Sequence, residues 1–236
     1  MKRAFLYVLI ASLILVSCQK ILFDSPEMTR QVQLKDFNAV RFHGIYNITL
    51  VQDSTNLLII NGKNHIRAID VTVMNDTLIV DDHKKLSFNT NKNSLELHFT
   101  NLRYIETFDP VNLRNLDTLK ADIFSLDAIG EIAEVNLSFN CNSIYIATSA
   151  NTLGFQHYRG RADFLYIFTR YGSGFLADSL LCRKAEIYNG SIGDVRINVS
   201  DYLRAHIWGN GNIYYKGSPI VELAEKRGKG EIIKLN

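Results

Sequence analysis

The sequence predicts an all-β fold, a parallel β-helix (β-solenoid) of stacked coils with N-terminal strands as its cap. Two observations carry this. Apolar and polar residues alternate with period two along most of the chain, as in Leu95-Glu96-Leu97-His98-Phe99, Val135-Asn136-Leu137-Ser138-Phe139 and Val195-Arg196-Ile197-Asn198-Val199. One pattern then returns every 20 residues: Ile167, Ile187 and Ile207, each followed by an aromatic, Phe168, Tyr188 and Trp208. Leu165, Ala185 and Ala205 share the spacing, as do Phe175, Val195 and Tyr215. Glycine-rich and polar turns fall between, at Asn189-Gly190-Ser191 and Gly209-Asn210-Gly211-Asn212.

A 20-residue unit of short strands cannot bury its apolar face alone. Stacked units can, each strand pairing with its equivalents at about 4.8 Å, so that Ile167, Ile187 and Ile207 form an inward ladder. By that spacing, residues 100–220 form about six coils and a rod near 30 Å long. A β-sandwich also alternates, and it remains the alternative, but it does not ask for one residue type at a fixed interval. Residues 36–100 lack the period and are expected to supply entry strands that cover the coil edge. Ile69 to Val80 reads as a hairpin turning near Asn75-Asp76. Residues 220–235 are expected to close the other end.

The first twenty residues form an address. Lys2 and Arg3 precede an apolar run from Ala4 to Val16, too short for a comfortable membrane span and right for a signal peptide. The run ends in Leu15-Val16-Ser17-Cys18, which resembles the bacterial lipobox. That resemblance implies cleavage after residue 17, acylation of Cys18 and a membrane partner reached through lipid; several acyl chains anchor durably where one is marginal. Gln19 rather than Asp follows, which favours the outer membrane. Three segments result: a signal peptide over 1–17, the lipidated cysteine and a tether over 18–35, and a single β-helix domain over 36–236. Without residues 1–17, 24 basic and 24 acidic side chains remain, a balance that argues against a nucleic-acid partner.

Leu203 to Pro219, with Gly209-Asn210-Gly211-Asn212-Ile213-Tyr214-Tyr215-Lys216-Gly217-Ser218-Pro219 at its core, is similar to the closing motif of a bacterial family, the putative auto-transporter adhesin, head GIN domain family. Gly228-Lys229-Gly230 fits its second Gly-x-Gly element, and His43 to Gln52 fits its start. The resemblance covers most of 36–235. It implies a right-handed β-helix, common in lipoproteins of Bacteroidetes-type bacteria, and adhesion or envelope binding without catalytic residues. Asn140-Cys141-Asn142 and Phe124-Ser125-Leu126 replace expected Gly-Ser-Gly turns, so the early coils are expected to be less regular than the late ones.

No motif calls for a metal or another cofactor. The six histidines stand at no metal-ligand spacing and are read as surface or strand-edge residues. Gly209-Asn210-Gly211 lacks the following helix of a phosphate site and is read as a corner needing positive φ. Cys141 and Cys182 lie about two coils apart, too far to bridge, and are expected to be free and buried. Arg159, Arg161 and Asp163 share one strand face. They are the candidates for a polysaccharide-lyase-like chemistry, against the simpler reading of a solvated face. Phe168, Tyr188 and Trp208 are the candidate ligand-binding residues: if the isoleucines point inward, these point outward and stack at the coil spacing. Exposed aromatics suit a glycan or an envelope protein partner. The sequence thus leads to a non-catalytic, lipid-anchored, adhesin-like binding protein. A carbohydrate-active enzyme and a purely structural spacer are the alternatives.

Overall fold

The computed structural model describes residues 26–83, 93–130, 132–148, 154–172 and 174–236. The signal segment and Cys18 lie outside them. The chain forms a β-solenoid of about six turns, and the 17 strands of the described residues join in one continuous sheet.

The N-terminal half contains β1 (Met28–Gln33), β2 (Ala39–His43), β3 (Tyr46–Gln52), β4 (Leu57–Gly62), a 3-10 turn (Asn64–Ala68), β5 (Asp70–Met74), β6 (Thr77–Asp81), β7 (Asn93–Phe99), β8 (Tyr104–Thr107) and β9 (Val111–Asn115). Spatial order departs from chain order here. β2 lies parallel between β6 and β8, and β3 lies parallel between β7 and β9. The antiparallel strands then cover the end: β4 pairs with β7, β1 with β4, and β5 with β6. This is the expected cap. Asn75 and Asp76, with φ of 49° and 57°, make the expected hairpin turn between β5 and β6, a two-residue type whose twist matches the strands. One residue range needs correcting. Residues 28–33, read as tether, are β1, and Arg30 Nη1 donates to the carbonyl of Ile69 at 2.6 Å, tying that strand to the end of the 3-10 turn.

The coils follow as β10 (Leu119–Ala128), β11 (Ile132–Thr148), β12 (Phe155–Tyr171), β13 (Gly174–Ser191) and β14 (Val195–Ile207). Each pairs in parallel with the next. The last turn is built from β15 (Ile213–Lys216), β16 (Ile220–Lys226) and β17 (Ile232–Lys234). Strands this long must bend to wrap a core. β12 does so at Gly160, φ 104°, where a side chain would run into the carbonyl of Phe139 in the coil beside it. Gly209 and Gly211 do not have the positive φ expected of them. They are glycines because a Cβ would meet the carbonyls of Ser191 and Gly193 in the preceding coil, so close approach is the constraint.

The inward ladders are Leu165–Ala185–Leu203 and Ile146–Ile167–Ile187–Ala205, all buried to 1% exposure or less. The 20-residue ladder of three isoleucines is therefore corrected at its last step. Ile187 pairs with Ala205, and Ile207 pairs with Asn189, because the register between β13 and β14 slips at Ala177/Leu181 and again at Cys182/Lys184. The slip shortens the coil from 20 residues to 18. Two residues is one strand repeat, so Ile207 remains buried. The expectation about regularity is not met at the turns that raised it: β10, β11 and β12 stack on one another without a slip, while β11 slips against β9 at Ile132/Glu134 and the late coils slip between β12 and β13, β13 and β14, and β14 and β16.

Cys141 and Cys182 are free and buried, as expected, with Ala162 seated between them on the same ladder. Burial pushes the Cys182 thiol up to about 12 and raises that of Cys141. At the far end the core is less well covered. Val221 and Leu223 continue the inward ladders yet are 37% and 48% exposed.

A polar clamp holds the turn between β3 and β4. His98 meets Asp53 through Nδ1 at 2.7 Å and Glu96 through Nε2 at 2.8 Å. Asp53 also accepts hydrogen bonds from the Thr55 amide and hydroxyl. Burial pulls the His98 pKa down, but its bonds to the two carboxylates outweigh this and hold it above its ordinary value. The same bond to His98, followed by those from Thr55, holds the Asp53 carboxyl below its ordinary value.

Two measurements check these points. Ile187→Ala is expected to lose about 2–5 kcal/mol in urea unfolding, whereas Ile192→Ser, at a site 72% exposed, is expected to change stability little. The His98 contribution is complete below its ordinary value of about 6.5 and is lost as pH rises through the higher folded-state value. Asp53 has the opposite sign: its contribution stands above about pH 4 and is lost as pH falls. The urea midpoint should therefore be highest between these limits. His98→Asn should lower that maximum and flatten the alkaline decline, and a decline that persists unchanged would place its origin elsewhere.

Candidate functional site

Parallel stacking converts residues two apart on each strand into two adjacent ladders on one outer face. The first runs Tyr104–Ser125–Tyr145–Tyr166–Glu186–Arg204–Glu222. The second runs Glu106–Asp127–Ala147–Phe168–Tyr188–His206–Glu225. Phe168, Tyr188 and Trp208 do point outward, while Thr169, Asn189 and the isoleucines before them are buried.

The three rings meet, though not as one straight ladder. Phe168 pairs with Tyr188 across neighbouring strands, with ring centroids 6.2 Å apart. Tyr188 pairs with His206, and the rings stack at 3.8 Å. Trp208 is displaced along the strand by the shortened coil. It touches Tyr188 at 5.3 Å and Phe168 at 6.1 Å, both edge-on. All three residues are half-buried. His206, read from the sequence as a surface or edge residue, is only 7% exposed because it lies against Tyr188.

Carboxylates secure the rings. Tyr188 donates its hydroxyl to Glu186 at 2.8 Å, and this bond, followed by burial, pushes its pKa up to about 12. The Trp208 indole N–H donates to Glu225 at 2.6 Å, and Arg227 bonds the same carboxylate. Those two contacts, the indole first, hold Glu225 below the usual carboxylate range.

The aromatic surface is wider than the three residues singled out from the sequence. Tyr145 lies 5.9 Å from Tyr166 and 5.8 Å from Phe164, and Tyr166 lies 5.6 Å from Tyr188. Tyr145 and Tyr166 escaped detection because the coil between them is 21 residues long and breaks the 20-residue interval. The signal that could have found them is the Tyr-Ile pair that Tyr145-Ile146 and Tyr166-Ile167 share, read with one residue of tolerance on the interval.

The enzymatic candidates are not assembled into a site. Arg159, Arg161 and Asp163 are all exposed, and Asp163 reaches Arg183 only at 4.0 Å. Asp178 is engaged instead by Lys216 at 2.9 Å, a bond that lowers its pKa. Among the described residues no three His, Cys, Asp or Glu side chains are grouped to hold a metal.

The fold is shared with solved structures. A putative adhesin from Bacteroides fragilis is 22% identical, with a TM-score of 0.78 over 89% of this chain and 97% of that one. A putative lipid binding protein from Parabacteroides distasonis is 19% identical, with a TM-score of 0.68 over 90% of this chain and 98% of that one. A putative adhesin from the same species is 15% identical, with a TM-score of 0.67 over the same shares. At these identities the likeness is one of fold. No curated protein matches the sequence. The model of one family matches residues 36–219, most of the chain, and the chain belongs to that family, described as the putative auto-transporter adhesin, head GIN domain.

Proposed function

We propose that this chain is a non-catalytic contact protein of the cell envelope, anchored in the outer membrane by lipid on Cys18, and that its outer aromatic face binds a glycan. One observation carries the binding reading. Aromatic side chains from β11 to the end of β14 gather on a single outer face, from Tyr145 through Tyr166, Phe168 and Tyr188 to Trp208, and leave apolar ring surface in water, Tyr145 being 38% exposed. A solenoid buries its apolar residues inside, and rings gathered outside in one patch suit a partner with flat apolar faces. Glu186 and Glu225 add hydrogen-bond acceptors to the face for a partner rich in hydroxyls. The adhesin description of the family is consistent with this reading. The anchor rests on the lipobox-like Leu15-Val16-Ser17-Cys18.

Two experiments test the two halves. Cys18→Ser is expected to move the protein from the membrane fraction to the soluble fraction of its host, and a variant that stays membrane-bound would disprove the anchor. The fragment from Gln19 is expected to bind envelope polysaccharide. Phe168→Ser/Tyr188→Ser/Trp208→Ser should weaken that binding by roughly 30-fold or more, as loss of interface aromatics does. Circular dichroism and a Trp208→Phe variant that keeps the ring separate loss of the face from loss of the fold. Binding unchanged in the folded triple variant would sink the assignment. Binding to envelope protein alone would replace the glycan by a protein partner.

A further inference from the structure

We infer that Tyr145, Tyr166 and Phe164, with Ile123 beside them, form the open stacking subsite of this face and take uncharged hexose units. This rests on the glycan reading above and deepens it.

Phe168, Tyr188 and Trp208 each have one flat face engaged already. The Arg170 guanidinium lies 5.0 Å from the Phe168 centroid, and that of Arg227 lies 5.3 Å from the Trp208 centroid. His206 stacks on Tyr188 with the ring planes 8° apart. Less of each of these rings is left to a ligand. One coil further toward the N-terminus the Tyr145 ring is open, and the half-buried Phe164 and Tyr166 lie beside it. Tyr145 is 38% exposed and Ile123 47%. Among the described residues no guanidinium lies over Tyr145, Tyr166 or Phe164. The residues paired beside them are small: Ser125 next to Tyr145, and Ser143 between Ile123 and Phe164. Ala147 next to Phe168 extends this floor. These small side chains leave room beside the rings.

The charge around these rings sets the ligand class. Asp127, which accepts the Tyr104 hydroxyl at 2.8 Å, lies on one side. Glu186 follows Tyr166 on its ladder, and Asp122 holds Asn142 at 2.5 Å near Ile123. Three cations balance these three carboxylates: Lys184 next to Phe164, Arg204 at 4.0 Å from Glu186, and Arg170 over Phe168. The rim therefore offers donors and acceptors with no net charge. It suits an uncharged chain that presents hydroxyls and apolar ring faces, and it gives no net attraction to one that carries phosphate, sulfate or uronate.

The test uses the fragment from Gln19 at about 150 mM salt, where surface steering is screened beyond roughly 8 Å. Binding is measured by calorimetry to two panels, mannan, laminarin and dextran against alginate, pectin and heparin. Wild type is expected to bind a neutral glycan and to bind the anionic panel at least tenfold more weakly. Tyr145→Ser, at an exposed position that tolerates the change, should weaken neutral-glycan binding by about tenfold. Tyr145→Phe should retain it, and this rescue separates stacking from folding. Preference for the anionic panel, or full affinity in Tyr145→Ser combined with Tyr166→Ser, would overturn the subsite while leaving the glycan reading of the face intact. Absence of binding to both panels by wild type would overturn both.

Discussion

The whole molecule depends on one constraint: every coil must bring the same side of its strand back over the core. A residue pointing inward in one coil sits on its equivalent in the next, so Leu165, Ala185 and Leu203 share one line, and Ile146, Ile167, Ile187 and Ala205 another. An odd change within a strand would put polar residues inside unless a bulge absorbed it. An even change leaves the faces as they were. The chain uses both. Between β12 and β13 one extra residue is taken up near Asp178, whose carboxylate leaves the core and meets Lys216. Between β13 and β14 the coil shortens by two, and Ile207 is still buried. Corners obey a harsher version of the same rule. They must stack backbone on backbone, which is why glycines recur at Gly160, Gly209 and Gly211 under the carbonyls of the coil before them.

The two ends meet the edge problem differently. At the N-terminus the chain folds back, and antiparallel β1, β4 and β5 turn the open end into hairpins. Asn56 ties this cap together: its side-chain Oδ1 accepts from the backbone amide of Thr100, and its side-chain Nδ2 donates to Asp36. At the other end β16 is an outer strand, and it carries Glu222, Glu225 and Lys226 on a bulged backbone. Charge and a bulge are the usual protection of an edge that nothing covers.

These rules explain which parts were legible in the sequence. Parity was legible, because period two survives any even slip, so the outward placement of Phe168, Tyr188 and Trp208 could be read directly. Lateral position was not. The two-residue loss moves Trp208 along the strand by about 7 Å, and no alternation pattern records it. The identical 20-residue spacing of Ile167, Ile187 and Ile207 suggested a ladder where the structure places Ala205 opposite Ile187. The insertion of β2 between β6 and β8 was also hidden, since strand neighbours from distant segments leave no local period. The hairpin at Asn75-Asp76 was readable because its chemistry is confined to two residues.

Aromatics outside a solenoid have two physical roles that must be told apart. Rings on neighbouring strands stabilise the stack by roughly 0.2–1 kcal/mol per pair, whether or not a ligand exists. Contact between rings therefore does not distinguish a binding face from a brace. What distinguishes them is the state of the ring faces and the size of the neighbours. Around Tyr188 and Trp208 one face of each ring is taken by His206 and Arg227, and the polar atoms are tied to Glu186 and Glu225. Such a cluster is braced from within and offers a ligand only part of each ring. Around Tyr145, Ser125 and Ser143 stand beside the rings of Tyr145, Phe164 and Tyr166, and apolar ring surface remains in water. Stability alone would favour a larger partner than Ser125 or Ser143 beside those rings. The small residues instead leave room, and room beside an unsatisfied ring is the feature that a brace does not require and a sugar-binding surface does.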